Sequence, residues 1–277
     1  MPTLLFLRGA ILTGALAASG TLLAPGTARA SAPDPGLSSI AQSAERTPAM
    51  RARDAVRHPV EELTFFGITP NSTVLELWPA PGYWTELLGP YLAAGGRYLV
   101  AHPPRGSAEN DAGYKSWSER VARLKAHMGP ITETTLGKGQ YELAPPGSVD
   151  LVLTFRNLHN WVGEGDAGQV LAACFKALKP GGILGVEDHR GRGDRPQDPK
   201  AASGYLREDF AIDLIRHAGF ELVGKSELNA NPKDTTDWPR GVWTLPPSFA
   251  LGAQDHDKYA AIGEADNFVL KFRKPLR

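Results

Sequence analysis

From Thr73 to Phe272 the sequence alternates short apolar runs, bounded by Gly, Pro or polar turn residues, with stretches of helical period. This alternation limits the chain more than any other feature. Strands separated by helices cannot pair as hairpins; they lie parallel in one sheet, with helices on both faces. The spacing predicts strands at Thr73–Leu77, Tyr98–Ala101, Asp150–Phe155, Ile183–Val186, Glu221–Ser226 and Phe268–Phe272, and a weaker one near Ile131–Leu136. It predicts helices over Tyr83–Leu92, Glu109–Met128, Ala167–Leu178 and Arg207–Ala218. Thr47-Pro48 reads as an N-cap followed by proline at the first helical position, opening one or two helices that run to Phe66. The fold class expected is α/β, doubly wound and Rossmann-like, with ligands outside the carboxyl ends of the strands where their order reverses.

The first thirty residues do not belong to that pattern. Arg8 precedes an apolar stretch from Ala10 to Ala24, and Thr27-Ala28-Arg29-Ala30 follows. Small residues at Ala28 and Ala30 suit signal-peptidase cleavage before Ser31, so residues 1–30 read as a signal peptide and the product as periplasmic or secreted. An uncleaved anchoring helix is the other reading; no stable membrane insertion is expected once the leader is removed. Residues 31–46, rich in Pro, Ser, Ala and Gly, read as a flexible N-terminus, and residues 47–277 as the folded domain. Thirty Lys and Arg against thirty Asp and Glu give a formal charge of +0, which argues against a nucleic-acid partner. The single cysteine, Cys174, excludes an intrachain disulfide and sits among Val170, Leu171 and Leu178 at core-facing helical spacing. Oligomeric state leaves no trace in the sequence.

Two segments stand out, one as a binding corner and one as a structural turn. The first strand ends Val74-Leu75-Glu76-Leu77-Trp78-Pro79-Ala80-Pro81-Gly82-Tyr83, an acidic strand tip followed by a tight turn into a helix. The glycine pattern of nicotinamide sites is absent from it, and a ligand-free capping turn is the plain alternative. Leu178-Lys179-Pro180-Gly181-Gly182 ends a helix and opens a strand, proline stopping the helix and glycine allowing a sharp reversal.

Together these segments resemble class I S-adenosylmethionine-dependent methyltransferases. Glu76 and Gly82 match that family's first motif, with Trp78 and Ala80 standing in its first two glycine places. The Leu-Lys-Pro-Gly-Gly turn and the last strand, Asn267–Phe272, match as well. Within the family the chain is most similar to exported bacterial proteins described as predicted methyltransferases. That likeness rests on Glu76-Leu77-Trp78-Pro79, Phe155-Arg156-Asn157-Leu158-His159-Asn160-Trp161, Glu187-Asp188-His189-Arg190 and Trp238-Pro239-Arg240-Gly241-Val242-Trp243, and spans about Pro48 to Pro275.

The resemblance implies an antiparallel last strand, S-adenosyl-L-methionine as cofactor and a small-molecule methyl acceptor. It places Glu76, Trp78, Ala80, Gly82, Tyr83, Phe155, Arg156 and Asn157 at the cofactor. His102 joins them, at the strand tip where the family usually carries an acid for the ribose hydroxyls. His159, oriented by a carboxylate of the Asp188-His189 segment, is the expected catalytic group. Asn160, Trp161, Trp238, Arg240 and Trp243 are expected on the substrate side, the last three in a long stretch, Asn229–Asp257, that reads as a lid. Other readings stay open. His159 also suits a core or helix-capping position, and Glu187-Asp188-His189 a loop salt-bridged to Arg190 or Arg192. The spacing of His159, Asp188 and His189 carries no recognised metal signature, so no metal is expected, and a metal-assisted enzyme at these residues is a third reading. An exported ligand-binding protein without catalysis, built on the same scaffold, is the alternative function.

Overall fold

In a computed structural model of the chain, residues 32–277 are described, so the leader read at residues 1–30 lies outside them. Among the described residues no helix is long and apolar enough to cross a membrane. The segment expected to be flexible carries a helix instead, α1 (Pro35–Ala41), started by Asp34, whose carboxylate accepts the Leu37 N–H at 3.0 Å. Leu37 is fully buried in one core cluster with Leu63, Leu87 and Leu88, and Arg46 (1% exposed) donates to Asp54 and to the Ala41 carbonyl. Composition pointed to a linker; burial of one leucine and pairing of one arginine order it. Three short helices follow, α2 (Pro48–Arg51), α3 (Asp54–Arg57) and α4 (Pro59–Phe66), and Gly67 ends the last of them at φ 85°.

The remaining elements run β1 (Thr73–Leu77), α5 (Thr85–Leu92), β2 (Arg97–His102), α6 (Ala108–Leu124), β3 (Ile131–Thr135) and β4 (Val149–Phe155). Then come α7 (Leu158–Glu164), α8 (Ala167–Ala177), β5 (Leu178–Gly191), the two-residue β6 (Leu206–Arg207), α9 (Glu208–His217), β7 (Glu221–Ser226), α10 (His256–Ile262) and β8 (Asn267–Arg273). The sheet order is β3-β2-β1-β4-β5-β8-β7, with β6 beside the end of β5. β1 to β5 are parallel, and β8 runs antiparallel between β5 and β7. Strand order therefore reverses between β1 and β4, where a parallel sheet opens its binding crevice.

β1 is buried along its whole length because both faces are covered. Leu75 and Leu77 join the core under α7, α8 and α9, while Val74 joins the core under α1, α4, α5 and α6. Burying each such leucine is worth about 2 kcal/mol, which fixes the register of the strand. Leu77 lies opposite Ala101 and Thr154, and Phe155 lies opposite Glu187, so the tips of β2, β1, β4 and β5 end side by side. β5 begins earlier than its apolar run suggested. Val149 pairs with Leu178 and Leu151 with Ile183, so the Lys179–Gly182 turn bulges out within the strand, and the Gly181 N–H reaches the Lys274 carbonyl at 2.9 Å. α7, which the sequence pattern did not show, is seven residues long and sits at the tip of β4.

Candidate active site

A cavity of about 690 Å³ opens at the reversal point, between the turn after β1, the tip of β4, the start of α7 and the stretch Arg240–Ala250. The turn after β1 is made by Trp78 at φ 49° and Gly82 at φ 97°, so a tryptophan holds a left-handed conformation that favours glycine. Its indole N–H donates to the Leu136 carbonyl at 3.2 Å, and its ring meets the Trp161 ring at 5.5 Å, turning the indole into a cavity wall. Glu76, at the end of β1, takes hydroxyl hydrogens from Tyr98 and Thr85 on Oε2, while Oε1 has no partner among the described residues. Burial pushes its carboxyl up to about 7.

One wall is a ladder of arginines and carboxylates. Arg57 donates to Glu187 at 2.9 Å, Arg156 to Glu187 at 3.1 Å and to Glu264 at 2.5 Å, and Arg53 to Glu264 at 2.7 Å. Burial alone would raise Glu264, but Arg156 and Arg53 hold it down to about 2. Arg57 lies over the Tyr83 ring at 4.4 Å, and Trp84 stacks on Phe155 at 3.8 Å. Arg57 Nε and Arg156 Nη2 are buried donors with no partner among the described residues, in residues that line the cavity. Buried donors of this kind call for an acceptor such as a carboxylate.

Next to this ladder along β5, Asp188 organises α7 against the strand. Its carboxylate accepts the His159 backbone N–H at 2.9 Å, the His159 ring Nδ1–H at 2.8 Å and the His189 backbone N–H at 2.7 Å. The acceptor-only carboxylate fixes the proton on Nδ1, leaving the His159 Nε2 lone pair free in a residue that lines the cavity. His189 lines it too, hydrogen-bonded through Nδ1 to Asn267 at 2.7 Å, and burial holds it down to about 3.

Most residues expected at the site converge on this cavity. Glu76, Trp78, Ala80, Tyr83, Phe155, Arg156 and Asn157 line it, as do His159, Asn160, His189, Arg240 and Trp243. Asn157 also ties the tips of β1 and β4 together through the Leu77 carbonyl, at 3.1 Å. Five expected residues stand elsewhere. Gly82 faces away: a Cβ there would come within 2.8 Å of Arg120, so its glycine serves the turn and that close approach. His102 packs its ring against Trp117 at 4.4 Å, pushed down to about 4 by burial, and does not reach the cavity. Trp161, 1% exposed, is core beneath Trp78. Trp238 donates to Asp234 at 2.7 Å and packs on Tyr259. Asp188 lies behind His159 and acts through it. The sequence reading missed Arg53, Arg57, Trp84 and Glu109, all on the wall. The spacing of Arg53 and Arg57, one helical turn apart, was the available signal.

No family model matches the chain, and no curated protein matches it. Solved structures do match. A SAM-dependent methyltransferase from Aquifex aeolicus has a TM-score of 0.53 at 15% identity, covering 86% of this chain and 98% of its own. An arsenic(III) S-adenosylmethionine methyltransferase from Chlamydomonas reinhardtii gives 0.50 at 16%, covering 88% and 74%. The [4+2]-cyclase SpnF gives 0.50 at 17%, covering 88% and 92%. At such identities the likeness is one of fold. The chain has the Rossmann-like methyltransferase fold, a mostly parallel sheet with an antiparallel β8.

Proposed function

We propose that the chain transfers a methyl group from S-adenosylmethionine to a small acceptor. The observation that carries this reading is the His159–Asp188 pair, opening onto the same cavity as the β1 turn and the buried arginine donors. The residues present suit an amino-acid end of a cofactor. Glu76 Oε1 is an acceptor for an ammonium group, and the guanidinium groups of Arg53, Arg57 and Arg156, which line the cavity, suit a carboxylate. When bound, the cofactor supplies an electrophilic methyl on a sulfonium centre. Trp78 walls the crevice, and Glu109 lines both it and the adjoining 360 Å³ hollow beside Asn110 and Lys138. His159 Nε2 takes the acceptor's proton, and the ionised Asp188 stabilises the imidazolium so formed. Alignment of the two reactants in one cavity supplies the larger part of the rate.

Ligand binding without methyl transfer is the second reading. It is favoured by Trp78 in a glycine place and by the cyclase among the similar folds. Calorimetric titration with S-adenosylmethionine and S-adenosylhomocysteine decides the cofactor. Micromolar binding that Glu76→Ala weakens supports the proposal, and no heat with either compound rejects it.

A further inference from the structure

The partners of His159 and His189 fix both tautomers. Asp188 accepts from His159 Nδ1. Asn267 donates its amide N–H to the Ala265 carbonyl at 2.9 Å, leaving Oδ1 to accept from His189 Nδ1 at 2.7 Å. Each ring therefore presents an Nε2 lone pair. The ring centroids are 5.3 Å apart, both residues line the cavity, and neither Nε2 has a partner among the described residues. The Trp243 and His159 ring centroids are 6.1 Å apart in a T-shaped arrangement, and Pro246 and Pro247 continue that apolar wall.

We propose that the two Nε2 atoms form a paired acceptor for a ligand with two neighbouring proton donors, hydroxyl or amino groups on adjacent atoms of one small molecule. His189 holds one donor, and His159 takes the proton of the other, leaving an imidazolium against Asp188. That this ligand is the methyl acceptor rests on the reading above; the pairing does not. A cation is the rival occupant, since His159, Asp188 and His189 each offer a ligand atom within 4.8 Å of the others. But Asp188 already accepts three N–H bonds, which leaves two free nitrogens, whereas a zinc site draws on three or four protein ligands.

The test is calorimetric titration of the full chain, without cofactor and in EDTA, with 1,2-dihydroxybenzene, phenol and 1,2-dimethoxybenzene. The diol is expected to bind about tenfold more tightly than phenol, the worth of one further hydrogen bond, and the diether weakest. His189→Leu should abolish the diol's advantage and leave phenol unchanged. Equal affinity for diol and phenol overturns the proposal, and so does an advantage that survives His189→Leu. A diol affinity that appears only when Zn²⁺ replaces EDTA assigns the cluster to a metal instead. Imidazole ¹⁵N spectra of the unsubstituted chain give a second reading that needs no variant. Both Nε2 resonances should move on adding the diol, and movement of one alone overturns the pairing. Absence of S-adenosylmethionine binding would remove the methyltransferase reading and leave these outcomes intact.

Discussion

Glu76 sits at the strand tip with a carboxyl that burial pushes up to about 7. Its folded value lies above the ordinary 4.5, so its contribution to stability is complete below about pH 4.5 and is lost as pH rises through about 7. The loss amounts to about 3 kcal/mol. Glu76→Gln keeps an acceptor for Tyr98 and Thr85 but cannot ionise. Its melting temperature should fall less between pH 5 and 8 than that of the unsubstituted chain, the remaining fall coming from groups such as the buried Glu62, which burial also raises; parallel curves would show that Glu76 is ionised at little cost. Asp188 acts on the site through His159, so its role shows best in the imidazole. Asp188→Asn brings an N–H against the His159 ring and favours the other tautomer. Turnover should fall about a hundredfold with cofactor affinity kept. The His159 Nε2 resonance should change from a lone-pair to an N–H position, which a purely structural role would not produce.

At the scale of elements, the Asn229–Asp257 stretch has its own small core. Leu245 is fully buried with Val242, Tyr205 and Tyr259, and this holds Arg240 and Trp243 on the cavity wall. Aromatic residues in the sequence foretold that this stretch would pack, yet not which tryptophan faces the ligand. Trp238 is held inward by Asp234, whereas Trp243 remains 39% exposed. Trp243→Ala should leave the fold intact and raise KM for the acceptor about tenfold, with cofactor affinity unchanged. Unchanged KM would reduce the stretch to packing alone. α7 shows the opposite case. Its seven residues are too few for a periodic pattern to stand out, and it forms because Leu158, Trp161 and Val162 bury against β5 and α8 while Asp188 takes the His159 N–H at its start.

For the whole molecule, the domain is expected to work outside the cytosol, as the apolar run and Ala28-Arg29-Ala30 suggest. Mass spectrometry of protein from the native host should give a chain beginning at Ser31; an intact Met1 would overturn export. The sequence by itself determined the alternation of strands and helices, the helix end at Phe66, the turn at Gly181, the buried Cys174 and the crevice at the strand tips. Those features rest on local periodicity and on backbone conformations that few residues adopt. Only the tertiary structure decided which polar groups share the cavity. His159 and Asp188 are 29 positions apart and Arg57 and Glu187 are 130 apart; they meet because strand register sets Phe155 beside Glu187. Register depends on how whole faces of the sheet pack, and single residues do not encode it. For the same reason His102 is turned into the core, and Trp161 is buried there by the packing of α7, though both look like site residues in the sequence.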